Sequence, residues 1–268
     1  GAGESDCESA ARQCVAAYRT EVRELARTPL LARSYQRIDV DHLHKTTSNP
    51  SLRQEIRRAV SRARHRTSDR ALPRFTHQEQ GRRRIVEEPP LITRVSEQDF
   101  AILSAGLDGY LQTLAPHWRR ALGGYTIVDI AHKVVGVGSV GLRAYVVLLE
   151  GSSPDDVVFL QLKQARRSVL AKYVHGESAW HAHQGQRVVE YQQALQTVSD
   201  PLLGYTTVHT PVDTSTVNWD ADVIARDFYV RQFRNMKGTV PLDAITEDAL
   251  GDYAGIVGHL LAKGHART

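Results

Sequence analysis

From Asp6 to about Arg27 apolar residues recur at three- and four-residue steps, through Cys7, Ala11, Cys14, Val15, Tyr18, Val22 and Leu25, which predicts an amphipathic helix. Ile38 and Val40 suggest a short strand, and Ser48-Asn49-Pro50 a turn that caps a helix over about 51–65, striped by Leu52, Ile56 and Val60. Residues 66–94 read as irregular, because Pro73, Pro89 and Pro90 interrupt any helix; only Arg84-Ile85-Val86 has room for a brief strand. Ser96 then reads as an N-cap, with Asp99 near the positive end of a helix that carries Phe100, Leu103, Leu107, Tyr110, Leu111 and Leu114 on one face.

After Gly123-Gly124 the period changes from helical to extended. Tyr125 to Val135 is rich in β-branched residues, Leu142 to Leu149 follows as a second strand, and Val157 to Lys163 as a third, which together predict an antiparallel meander. A helix is expected from Gln184 to Val198, then a loop through Pro201 and Pro211, a strand at Phe228 to Phe233, and a last helix from about Glu247 to Ala266. The expected class is α+β, with a mainly helical region over 1–122, a lobe of antiparallel sheet plus helix over 123–238, and the start of a C-terminal helical lobe over 239–268.

Chemistry enters between the first two strands of the meander. Gly136-Val137-Gly138-Ser139-Val140-Gly141 has the spacing G-x-G-x-x-G, which two unrelated phosphate sites share. A dinucleotide turn opens a helix directly after its glycines, whereas Leu142 to Leu149 is strand-like. Strand, glycine turn and strand is the order of a kinase loop, whose glycines let backbone N–H groups approach the phosphates of ATP. The plainer reading is a hairpin whose tip holds no ligand. Lys163 ends the third strand, where kinases carry the lysine that attracts those phosphates, and strand parity turns it away from Leu160 and Leu162. Glu190, on the next helix, is the candidate to orient that lysine, with Glu177 as competitor. The later strand Phe228 to Phe233, followed by Arg234 to Gly238, would lie beside the adenine.

Lys133 to Gly141, Phe159 to Lys163, Gly185-Gln-Arg-Val-Val-Glu190, Ser199 to Gly204, Phe228 to Gly238 and Ala262-Lys-Gly-His-Ala-Arg267 appear in that order. With Tyr35 to Asp41 and Gly81 to Ile92, these runs make the chain resemble the domain of unknown function 2252 family over nearly its whole length. The family is similar to protein kinases and aminoglycoside phosphotransferases, so the resemblance implies a kinase-like small lobe, ATP and Mg²⁺ as cofactors, and transfer to an unknown acceptor. Family members also carry a Gly-Asp-x-His-x-x-Asn segment and an acidic motif that this sequence lacks. The chain is therefore expected to be a fragment without the catalytic loop and Mg²⁺ ligands, able to bind nucleotide and inactive alone.

Composition narrows the alternatives. In 268 residues, 41% hydrophobic and 24% charged, no apolar run is long enough to cross a membrane, so a cytoplasmic protein without a membrane partner is expected. Cys7 and Cys14 fall on one helix about 10 Å apart, too far to bond to each other, and are read as core thiols. The net charge of +4 is uneven, since Arg53, Arg57, Arg58, Arg62, Arg64, Arg66 and Arg70 crowd one segment. That cluster supports the alternative of a nucleic-acid-binding module, but no zinc-finger spacing, no helix-turn-helix and little aromatic interleaving accompany it, and a solvated basic face, or one packed against acidic parts of the absent segment, is the simpler reading. The pairs His42/His44 and His181/His183 are a weak basis for a metal site, and no metal ligands are assigned. No Gly-x-Ser-x-Gly elbow follows a strand.

Overall fold

A computed structural model describes residues 3–37, 39–41, 43, 47–65, 67–134, 136, 141–173, 181–211, 223–233 and 238–267. In chain order its elements are α1 (Glu4–Arg27), α2 (Leu30–Tyr35), α3 (Pro50–Arg64), α4 (Ser68–Phe75), β1 (Thr76–Glu79), β2 (Arg82–Ile85), β3 (Ile92–Arg94), α5 (Glu97–Thr113), α6 (Pro116–Leu122), β4 (Thr126–Lys133), β5 (Ala144–Glu150), β6 (Val157–Gln164), α7 (Gln184–Leu195), β7 (Gly204–Pro211), β8 (Val223–Gln232) and α8 (Glu247–His265). The protein is thus α+β, and it divides into two compact units. One is Gly1–Arg66 with Tyr191–Ser199 and Met236–Thr268, the other Thr67–Glu190 with Asp200–Asn235. This division and one by element type cut the chain differently, since α5, from the helix-rich first half, packs on the sheet.

The first unit is helical. α1 and α8 lie against each other closely enough that a Cβ on Gly258 would stand 2.3 Å from the Cys14 carbonyl oxygen, so that position tolerates only glycine. Across this contact the Glu21 carboxylate accepts from His259 Nδ1 at 2.9 Å and from Lys263 Nζ at 3.0 Å. Cys14 is half-buried and Cys7 exposed, which corrects the expectation of two core thiols: the apolar stripe of α1 faces α8 over only part of its width. α3 starts as predicted at Asn49, whose side chain accepts from Leu52 N at 3.1 Å, and Asp252 fixes the entering turn by accepting from Ser48 N, Ser48 Oγ and Asn49 N. Leu52, Ile56 and Ala249 form the core there. Before it, Val40, Asp41 and Leu43 are helical rather than extended, with Leu43 N bonded to Asp39 O and Thr47 N to Leu43 O; Ile38 lies outside the described residues.

The second unit is built on a six-stranded antiparallel sheet in the order β3-β4-β5-β6-β8-β7. The predicted meander is β4-β5-β6, and β5 is buried on both faces from Ala144 to Leu149. On one face α5 packs Leu103, Leu107 and Tyr110 against Val147, Leu160, Leu162, Phe228 and Val230. Burying side chains of this size stabilises by roughly 1.5–3 kcal/mol each. The opposite face buries Val146, Leu148 and Phe159 with Leu72 of α4 and Ile85 of β2, ringed by Phe75 and Phe233. A bulge between Ile127 and Asp129 leaves the buried Asp129 accepting from Ile85 N at 2.7 Å and Arg84 Nη1 at 2.9 Å, which ties the β1–β2 hairpin to the sheet. The two-residue turn of that hairpin, Gln80-Gly81, has φ of 50° and 75°, as a type I′ turn requires.

Two expectations fail in this unit. Residues 67–94 hold α4, β1 and β3 where irregular chain is expected, because Pro73 sits near the end of a short helix and interrupts little; the brief strand expected at Arg84-Ile85-Val86 forms as β2. The stretch ending at Pro211 is not a loop: residues 204–211 pair with β8 along its length, and Thr206, Val208 and Thr210 turn inward. Gly106 of α5 makes room for Val208, and the Thr206 hydroxyl donates to Gly106 O.

Candidate functional site

The glycine-bearing connection runs from β4 to β5. Gly136 and Gly141 both have positive φ, 66° and 76°, and neither would bring a Cβ within 4 Å of another residue. Backbone conformation, not crowding, therefore calls for glycine at both ends of the turn. Val137, Gly138, Ser139 and Val140 lie outside the described residues. The base of the connection is tied to the end of β6, with Gln164 N donating to Arg143 O at 2.8 Å, Arg143 N to Gln164 Oε1 at 3.1 Å and Arg166 Nη2 to Gly141 O at 3.2 Å.

Lys163 stands at that end of β6, paired with Ala144 on one side and Tyr229 on the other. As parity predicts, Leu160 and Leu162 enter the core under α5 while Lys163 and Gln161 take the opposite face. Lys163 is half-buried, and its Nζ lies 5.8 Å from the centre of the Tyr229 ring, a cation–π distance. No carboxylate comes within 4.0 Å of it among the described residues. Next along the same face, Gln161 is 1% exposed and its Oε1 accepts from Arg231 Nε and Nη2 at 3.2 and 3.0 Å. The strand expected beside the nucleotide, β8, is the direct neighbour of the lysine strand; Arg234 to Lys237 lie outside the described residues.

The N-terminus of α7 docks on this face. Asp227 of β8 accepts from Gln184 N at 2.8 Å, its other oxygen lies 3.4 Å from His183 Nε2, and Gln186 N donates to His183 Nδ1 at 3.0 Å. Gly185 allows the approach, since a Cβ there would lie 2.3 Å from Phe228 O. Glu190 follows on the same helix but is not joined to Lys163 by a hydrogen bond or ion pair. Its carboxylate receives His181 Nε2 at 2.5 Å and Gln186 Nε2 at 2.7 Å, and these two bonds hold it below the ordinary carboxylate range. Glu177 lies outside the described residues. Asp227, the carboxylate nearest Lys163 in the strand register, is engaged by Gln184 N and flanked by His183 and Thr207, so this donor set does not fit Mg²⁺.

The rival constellations fare differently. Three arginines of the α3 cluster are turned to structural use: Arg53 caps the Thr47 carbonyl, Arg58 pairs with Glu55, and Arg62 donates to Thr239 O. Arg57, Arg58, Arg62 and Arg64 are nevertheless all exposed on the helix. His181 and His183 bond separately to Glu190 and beside Asp227 rather than converging, His42 and His44 lie outside the described residues, and among the described residues no three His, Cys, Asp or Glu side chains gather as metal ligands. Among the same residues no helix is long and apolar enough to cross a membrane. Tyr229 and Arg231 were not read as site residues from sequence. The alternation along Phe228 to Gln232 puts them on one face, but their place beside Lys163 depends on the β6–β8 register.

Over residues 1–268 the chain matches the family of domain of unknown function 2252, described as an uncharacterized protein conserved in bacteria, and it belongs to that family. No curated protein matches it. No solved structure matches it either.

Proposed function

We propose that this member of the domain of unknown function 2252 family binds a nucleotide through its β4–β5 glycine turn and Lys163, as the nucleotide-gripping part of a kinase-like phosphotransferase of unknown acceptor. The observation that carries the reading is Lys163 itself: a half-buried ammonium, without a carboxylate partner among the described residues, opposite the first β5 residue after the glycine turn. Partial burial costs a lone charge solvation, and the phosphates of ATP would restore it. Gly136 and Gly141, both at positive φ, leave the two ends of the turn without side chains, where backbone N–H groups would meet the same phosphates. Lys163 would position and neutralise the phosphates. Mg²⁺ would add charge neutralisation when bound, but the residues beside Lys163 do not supply its ligands. Glu190, engaged by His181 and Gln186, would have to exchange partners to orient the lysine.

The test is calorimetric titration of Mg-ATP into the protein and into Lys163→Ala, each also at raised salt. Saturable, salt-tolerant binding that the substitution weakens by about tenfold or more, roughly 1.4 kcal/mol, is expected. Undiminished binding by Lys163→Ala, or none by the folded wild type, would overturn the reading.

A further inference from the structure

The face of the sheet opposite Lys163 carries a second group of cations at the same end. Tyr145, Leu162 and Phe228 lie in the core under α5. One step of two residues outward from Tyr145 is Arg143, from Phe228 is Arg226, and two steps from Leu162, through Gln164, is Arg166. The strands are still in register there, with Gln164 opposite Phe228 and Ala165 N donating to Asp227 O at 2.8 Å. All three arginines therefore emerge on one face around the base of the glycine turn. Arg166 Nη2 reaches Gly141 O, Arg187 Nη2 holds Arg166 O at 3.1 Å, and Arg226 Nη1 donates to the Thr210 hydroxyl. Burial, then the positive charges of Arg143 and Arg166, lower the Arg226 pKa from its ordinary value. None of the three has a carboxylate within 4.0 Å among the described residues.

Like charges held together, one of them half-buried, destabilise a fold unless an anion compensates them, and planar guanidiniums match the oxygens of a phosphate in pairs. We infer that Arg143, Arg166 and Arg226 form an anion site for a phosphate group, distinct from the Lys163 face. The phosphate comes either from the proposed nucleotide, its chain wrapping the glycine turn, or from a separate phosphorylated small molecule.

Inorganic phosphate titrated calorimetrically at low salt into wild type, Arg143→Gln, Arg166→Gln and Lys163→Ala tests it. Arg143 is exposed and its side chain makes no recorded bond among the described residues, so its loss leaves the fold intact. The expected result is binding that weakens at least tenfold in both arginine variants and persists in Lys163→Ala, with Arg143→Gln no less heat-stable than wild type in phosphate-free buffer. Equal binding by wild type and both arginine variants, or no binding by wild type, overturns the inference whether or not Lys163 binds ATP. If the site stands, loss of phosphate binding on adding saturating Mg-ATP identifies the nucleotide as its source, and simultaneous binding identifies a separate ligand.

Discussion

Gly185→Ala is the sharpest structural perturbation near the candidate site. The added methyl would lie 2.3 Å from Phe228 O and 2.7 Å from both Phe228 C and His183 Cε1, where ordinary contact begins at 3.4 Å. Strand β8 cannot give way, because Phe228 is paired with Gln164 of β6 and with Thr206 of β7. The start of α7 must therefore retreat by about 1 Å, a typical overpacking response. That movement lengthens the bond from Gln184 N to Asp227, now 2.8 Å, beyond a useful hydrogen bond. Overpacking costs about 1–3 kcal/mol. Alanine returns at most about 1 kcal/mol of helix propensity, so a net loss of about 1–2 kcal/mol is expected. Urea unfolding followed by circular dichroism reads the stability, and amide exchange at Gln184 reads the displacement. Gly255→Ala is the control: its Cβ would meet nothing within 4 Å in the middle of α8, so it should be neutral or stabilising by up to about 1 kcal/mol. A Gly185→Ala protein as stable as wild type, with Gln184 protection unchanged, would refute the argument that this glycine sets the distance between helix and sheet.

Three further outcomes follow from buried polar groups. Tyr110→Phe should cost about 1–3 kcal/mol in thermal or urea unfolding, because the buried hydroxyl donates to Leu202 O at 2.7 Å and its loss leaves that carbonyl unpaired; an unchanged midpoint would show that water replaces it. Asp129→Ala removes the acceptor of Ile85 N and of Arg84 and should cost about 2–3 kcal/mol, with faster amide exchange across β1 and β2 as the local readout. Burial pushes the Glu21 carboxyl up, but Lys263 and His259 together outweigh it and hold the group below its ordinary value of 4.5. The folded protein therefore takes up this proton less readily than the unfolded chain, so the stabilisation is complete above that pH and is lost as pH falls below it. Glu21→Gln should flatten the stability curve over roughly pH 5 to 3, and an unaltered slope there would remove Glu21 from the account of acid sensitivity.

What the chain reveals without its structure follows from how local each signal is. The caps at Asn49 and Ser96, and the period change after Gly124, depend on neighbours a few residues apart, and the helices and meander form as they predict. β7 was missed because its inward residues are Thr206, Val208 and Thr210, too polar to read as a buried face until glycines of α5 are known to lie over them. The same distinction divides the candidate site. Lys163 facing away from Leu160 and Leu162 is a statement of parity along one strand, and it holds. The neighbours of Lys163, Tyr229 and Arg231 among them, depend on which strand pairs with β6, and β8 arrives there from more than sixty residues downstream.

Most carboxylates of the sheet unit are engaged away from its basic end, and Asp227, which lies at that end, is held by the start of α7. Asp129 holds Arg84, Asp156 receives the Tyr125 hydroxyl and Ser152 N, Asp200 accepts from Leu202 N and Gln232 N, and Asp227 accepts from Gln184 N. Each fixes a turn, a hairpin or a helix start. At the end of β6 the pattern reverses: Lys163 on one face and three arginines on the other flank the base of the glycine turn, with no carboxylate within 4.0 Å of any of them among the described residues. Packing alone gives no reason for this, since a single aspartate at Tyr229 or Gln164 would relieve it at little steric cost. Uncompensated cations held by a rigid sheet stabilise whatever anion arrives, at the expense of the empty protein. Substituting Arg143 should then make the unliganded chain no less stable while weakening its hold on phosphate, and that opposition of stability and binding separates a ligand site from a merely solvated basic edge.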